Sequence, residues 1–277
     1  MNLALIPVFL LLGVAIGFMA GLLGIGGGFT TVPVLTEVFT REGVATRHVL
    51  PMAIGTSAAI VIFTTISSAR AHHARGAVVW RIVKTMSPGL VVGSLLGAQV
   101  TSALPMWIMA GIFGAFTWFA ALRMLFAKPP SVSGTLPGPA GMFAVSAGIG
   151  VAGGMVGTGG AFIAVPYMTR RGVTPHGAVA TSAALALPIA LAATIGYVVA
   201  GLRQTGLPPY SLGYVYLPAL VVITLCSVFV APLGARVAHA WSGVRLRRAF
   251  AIMLLVLGAF MWWKAFSALG AAPPTPG

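Results

Sequence analysis

GLLGIGGGFTTVPVL (Gly21–Leu35) returns as GMVGTGGAFIAVPYM (Gly154–Met168), so a glycine cluster breaks an apolar stretch at matching places in two halves of one chain. In a chain embedded in lipid, Gly-interrupted hydrophobic segments at corresponding positions of two halves are the best sequence pointer to a substrate site.

The rest of the composition puts the chain in lipid. It is 58% hydrophobic and 6% charged, with a mean hydropathy of +1.02. A soluble domain carries roughly 25% charged residues. Apolar runs at 49–69, 86–103, 106–122, 177–201, 212–235 and 249–263 are each near the roughly 20 residues needed to cross ~30 Å of hydrocarbon. They predict six spanning helices. The start, Met1-Asn2-Leu3, lacks a basic segment, so the first apolar run is read as retained and not as a cleaved signal. The lone Cys226 excludes an internal disulfide and a multi-cysteine metal site. The net charge of +14 is dispersed over short loops, which speaks against a nucleic-acid partner and for membrane-topology signals.

The Gly-broken runs are of another kind. After the break, 29–40 offers about 12 residues, ~18 Å as helix, too short to return across the membrane, and 161–169 is shorter still. Positive charge chooses between one crossing per broken pair and a re-entrant hairpin, because cytoplasmic loops hold the excess of Lys and Arg. Single crossings split the 16 cations eight to eight. Hairpins put Arg70, Arg75, Arg81, Lys84, Arg123, Lys128, Arg170, Arg171, Arg236, Arg245, Arg247 and Arg248 on one side, leaving Arg41, Arg47, Arg203 and Lys264 on the other. Twelve against four selects hairpins, with both termini outside. The expected fold is therefore an all-α polytopic membrane protein of two inverted repeats. Each repeat is a re-entrant hairpin plus three transmembrane helices: residues 1–127 and 140–277, joined by a cytoplasmic Pro/Gly/Ser linker at 128–139.

More of the repeat is traceable. Val44–His48 faces Val173–His176, Gly55–Ala59 faces Ala180–Ala184, Pro88 faces Pro218, and Gly97–Gln99 faces Gly234–Arg236. A solenoid needs at least three repeats, whereas two inverted ones fit a transporter built about a pseudo-two-fold axis.

The stretch Leu22–Leu35, its degenerate second copy, the paired Thr-Ser motifs and the length resemble the TauE/SafE family of sulfite and organosulfonate exporters over nearly the whole chain. The resemblance implies export of a small sulfur-containing anion such as sulfite, sulfoacetate or a related sulfonate from a bacterial cytoplasm, across the inner membrane. Thr158 and Ala161 stand where the first copy has Ile25 and Gly28, so the two tips are not expected to contribute equally.

The motif also suits an anion on physical grounds. A helix starting after Gly26-Gly27-Gly28 leaves its first N–H groups without intrahelical partners, and its dipole adds partial positive charge. Such a cradle needs no basic side chain. The expected substrate-binding residues are Gly26, Gly27, Gly28 and Thr30 at one tip, and Thr158, Gly159 and Gly160 at the other. Hydroxyls of Thr56, Ser57, Thr181 and Ser182 are candidate donors, with hydrogen bonding inside the helices as the competing reading. Gly13, Gly17 and Gly21 read as small-residue packing. Arg47, His48 and His176 are candidates for gating or proton relay, the two histidines at equivalent repeat positions near the two mouths. His72 and His73 read as a solvated loop, Arg245–Arg248 as a positive-inside anchor, and Trp241, Trp262 and Trp263 as an interfacial belt.

Glu37 and Glu42 are the only carboxylate side chains and are expected in one external loop. That leaves no catalytic carboxylate pair and no acidic relay inside the membrane. No P-loop pattern occurs. No cofactor, metal or catalytic residue is expected, and the partners are an anionic substrate and the bilayer, with a homo-oligomer compatible. A passive anion channel and an integral-membrane enzyme are the alternatives.

Overall fold

The computed structural model describes residues 6–23, 28–126, 136–240 and 243–270. Ten helices stand among them: α1 (Ile6–Leu23), α2 (Gly28–Arg41), α3 (Thr46–Ala74), α4 (Trp80–Ala103), α5 (Met106–Phe126), α6 (Pro139–Val156), α7 (Ala161–Arg170), α8 (Pro175–Leu202), α9 (Leu217–Ala240) and α10 (Gly243–Gly270). The linker residues 128–135, Trp241 and the glycines Gly26 and Gly27 lie outside the described residues, as does the packing around Gly21.

By length and composition α3, α5, α6, α8 and the Arg248–Gly270 part of α10 are able to cross a membrane, which makes the chain a polytopic membrane protein. Three departures from the expected spans have plain causes. The run from Met86 lies within α4, which starts earlier at Trp80 and carries Arg81 and Lys84, so it is long but less apolar. α6, expected only as a hairpin leg, has 18 residues and the apolarity of a span. The run expected from Leu212 begins as a two-stranded ribbon, β1 (Ser211–Leu212) paired antiparallel with β2 (Val215–Tyr216), because Gly213 turns the chain at φ +55°; the helix starts only at Leu217.

Small residues decide which helices pair. α1 lies along α9 and α4 along α6. A Cβ at Gly93 would coincide with the Ala147 carbonyl oxygen, and Gly89 and Gly97 are equally closed by α6. α6 answers with Gly150 and Gly154 against α4. Gly13 and Gly17 meet Ile223, Cys226 and Ser227 of α9 in the same manner. Without a hydrophobic drive between helices in lipid, such backbone approach is what favours association. α5 pairs with α10 by large-into-small contacts: Trp262 fills the space at Gly114, Trp118 that at Gly258, and the Trp118 indole N–H donates to the Leu255 carbonyl at 3.1 Å. Trp262 therefore packs between helices, whereas Trp263 is exposed.

α3 and α8 form the centre. Every residue from His48 to Val61 is buried, so α3 meets protein on all sides there. Two hydroxyls pin these helices to segments across the molecule. Thr56 on α3 accepts the Tyr216 N–H at 3.0 Å, just before α9 begins. Thr181 on α8 accepts the Val79 N–H at 3.0 Å, just before α4 begins. Each bond satisfies a backbone donor just ahead of a helix, the Tyr216 donor being buried.

The proline match fails in this frame. Pro88 is the ninth residue of α4 and Pro218 the second of α9, so they are not equivalent. Nor are the histidines: His48 is buried, His176 exposed, because α3 begins two residues before its histidine and α8 one residue before. His72 and His73 are in the last turns of α3 and not in a loop, where His73 Nδ1 accepts the Trp80 indole N–H at 3.1 Å.

Two outcomes are expected in detergent melts. Gly93→Ala forces two backbones apart and lowers stability by about 1–3 kcal/mol, while Gly111→Ala, whose nearest neighbour would be 3.7 Å away, leaves the melt unchanged. Thr56→Val strands the buried Tyr216 N–H and costs about 1–3 kcal/mol with no anion present, while Thr181→Val, whose Val79 partner is exposed, costs less.

Candidate functional site

The break between α6 and α7 is shaped by two glycines in the left-handed region. Gly157, at φ +66°, ends α6 with its N–H on the Gly153 carbonyl at 2.9 Å. Gly160, at φ +65°, opens α7, whose first N–H groups receive no side-chain cap. Glycine tolerates these angles where a side chain would be strained. Gly159 has no room for a Cβ beside Ala186, and Gly160 is closed by Ile149 and Ile189.

The start of α2 meets this break. A Cβ at Gly28 would lie 2.6 Å from the Gly157 carbonyl oxygen and 3.1 Å from Thr158 Cγ2. Ser57 Oγ donates to the same Gly157 carbonyl at 3.4 Å, and a Cβ at Gly157 would press on Ile54. The residues that follow the glycines also touch: the Phe29 and Phe162 rings have centroids 5.2 Å apart, backed by Phe113 and Phe116 of α5 at 6.3 and 5.9 Å. Sequence reading missed Phe29 and Phe162 as a pair. The signal was there, because phenylalanine follows both copies of the motif.

Of the residues expected to bind substrate, Gly28, Thr158, Gly159, Gly160 and Ser57 thus gather in one place. Gly26 and Gly27 lie outside the described residues. Thr30 is half-buried in the first turn of α2, and Ser182 is buried on α8. Thr56 and Thr181 are buried with their oxygens occupied by backbone N–H groups, so each has only its own O–H left to offer. Thr158 stands apart. It is 2% exposed and its Oγ1 has no hydrogen-bond partner among the described residues. No charged side chain occurs in 28–31 or 157–161. Two helix N-termini, each carrying about half a positive charge, therefore meet with no charged side chain of their own, beside the Gly157 carbonyl at the end of α6.

At one end of the molecule, Arg47 Nε donates to His48 Nε2 at 3.0 Å, leaving His48 Nδ1 as the donor to Tyr214 Oη at 3.3 Å. Burial pushes the Tyr214 and Tyr216 phenols up. Glu37 is on α2 and not in an external loop. Its carboxylate pairs with Lys264 of α10 at 2.9 Å and with Arg41 at 2.6 Å. These cations, Lys264 first and then Arg41, hold it below the usual carboxylate range. The sequence reading takes 29–40 as helix yet places Glu37 with Glu42 in the loop that follows; α2 runs to Arg41 and keeps Glu37 inside the helix.

Comparison with known proteins agrees with the geometry. The family model described as "Sulfite exporter TauE/SafE" matches residues 9–261. A "Probable membrane transporter protein" of Haemophilus influenzae is 32% identical over 256 residues, covering 92% of this chain and 97% of its own. "Probable membrane transporter protein MJ0441" of Methanocaldococcus jannaschii is 26% identical, covering 94% and 96%. "Probable membrane transporter protein YdhB" of Bacillus subtilis is 27% identical, covering 93% and 98%. No solved structure matches the chain. The chain is a multi-pass membrane protein that belongs to the TauE/SafE family, a family of transporters and not of enzymes.

Proposed function

We propose that the protein is a secondary transporter that exports a small sulfur-containing anion, sulfite or an organosulfonate, by alternating access, with the anion held where the starts of α2 and α7 meet. The observation that carries this is Thr158, a buried hydroxyl without a partner among the described residues, set where the starts of α2 and α7 meet. The uncapped N–H groups and the Thr158 hydroxyl are donors that an oxyanion accepts from. The family description supplies the sulfur chemistry.

Inverted repeats with re-entrant hairpins are the architecture that fits. Support comes from the reciprocal bonds of Thr56 and Thr181, each reaching the helix start of the other half, and from the exchange of α1 onto α9 and α6 onto α4. α2 and α7, ~21 and ~15 Å long, are both too short to cross. That Lys264 and Arg41 meet at one Glu37 supports hairpins, which place both cations on one side. We take that end as external and the end with His73 and Trp80 as cytoplasmic, with both termini outside.

In a Cys226→Ser background, cysteines placed at 41–45 are expected to label from outside, and those at 75–77 and 171–174 from inside. Labelling of 41–45 and 171–174 from one side overturns the inversion. For the site, Thr158→Val is expected to have opposite effects on stability and binding. It removes an unpaired buried hydroxyl and raises the melting temperature of the empty protein. It also removes a donor to the anion, weakening binding by about 10–150-fold, the equivalent of about 1.5–3 kcal/mol. The check is thermal shift with sulfite, thiosulfate, sulfoacetate, taurine, sulfate and carboxylates, followed by flux and counterflow in liposomes. Unchanged sulfite affinity in a folded Thr158→Val variant defeats the site, and flux without saturation or counterflow makes the protein a channel.

A further inference from the structure

The chain has sixteen Lys and Arg residues against two carboxylates, yet one of those carboxylates is committed to a single lysine. Lys264 is 8% exposed, its ammonium lies 5.6 and 5.4 Å from the Phe260 and Trp263 ring centroids, and its charge partner is Glu37 Oε2 at 2.9 Å. Lys264 lies within the Arg248–Gly270 segment able to cross a membrane, where a buried ionisable group is costly and marks a candidate ion path. Glu37 is nine residues beyond Gly28 on α2, so it lies roughly 13 Å along the helix from the candidate anion site towards the outer end. The second half has no counterpart: nine residues beyond Ala161, the equivalent place on α7 carries the exposed Arg170. One end of the path thus offers an unburied cation, while the other offers a buried cation already holding an oxyanion.

Building on the transporter reading above, we propose that Lys264 is an outer anion site on the export path, and that Glu37 is its resident counter-ion, displaced by the anion as it leaves. A carboxylate and a sulfite oxyanion present the same chemistry to an ammonium, one negative charge on hydrogen-bond-accepting oxygens. Exchange of one for the other never leaves Lys264 unpaired, which avoids the several kcal/mol that a bare buried charge costs. Glu37 keeps Arg41 as its partner during the exchange. When the carboxylate returns to Lys264 it excludes anions from outside.

The test uses the full chain in oriented liposomes with sodium sulfite. Glu37→Gln leaves Lys264 without a counter-ion, so the apparent affinity for sulfite on the outer side is expected to rise on the order of tenfold while efflux slows. Glu37→Gln, Lys264→Gln restores a neutral pair and the fold, and is expected to slow efflux on the order of tenfold without raising outer affinity. If the single variant does not fold, the double variant decides alone. An unchanged outer KM in Glu37→Gln, or parental efflux in the double variant, makes the pair a staple and overturns the proposal. Thr158→Val, in contrast, weakens sulfite from both sides. A variant set in which only the outer affinity responds to Glu37 keeps the Lys264 site while the tip reading fails, and the converse pattern does the reverse.

Discussion

A backbone N–H or C=O inside hydrocarbon has no water to bond to, so a helix broken at membrane depth survives only if protein wraps the break. The turn from Gly157 to Gly160 is a break wrapped in this way. Ile54 and Ser57 of α3 close it on one side and Ala186 and Ile189 of α8 on the other, with the start of α2 above it. That demand accounts for the continuous burial of α3 from His48 to Val61 and for the use of small residues wherever α1, α4, α6 and α9 meet. It also explains why hydroxyls sit at helix starts. Thr56 and Thr181 supply the acceptors that water would supply elsewhere.

What the sequence disclosed is what hydrocarbon dictates directly. Span lengths, the scarcity of carboxylates and two Gly-broken segments follow from the cost of polar groups in lipid, and each is written locally in the chain. The meeting of Gly28 with Gly157 and Thr158 was legible in outline, because the chain carries two copies of one motif and the structure brings them together. Other features depend on contacts between distant residues and leave no local trace. The partners of Thr56 and Thr181 are 160 and 102 residues away. Glu37 is expected from sequence in a loop with Glu42, and only Lys264, far along the chain, shows what it faces on α2. The matching of His48 with His176 and of Pro88 with Pro218 failed for a related reason: the helices that bear them start at different points, so similarity of letters did not mean similarity of place.

The two tips also differ in a way that bears on chemistry. Thr158 has a hydroxyl where the first copy has Ile25, and Ala161 a methyl where it has Gly28. The second tip therefore offers a side-chain donor, while the first allows the closer backbone approach that Gly28 makes against the Gly157 carbonyl. The pair Phe29 and Phe162 excludes water beside them, which strengthens any charge-assisted bond formed there.

The exchange of α1 onto α9 and of α6 onto α4 has a consequence for how the chain is made. α1 leaves the ribosome first, but its partner face on α9 is synthesised some 200 residues later. Until then Gly13 and Gly17 face lipid or the insertion machinery with their backbone groove open. α1 finds its partner only when α9 is made and α5 only when α10 is made, so a chain halted before α9 leaves α1 without its seat.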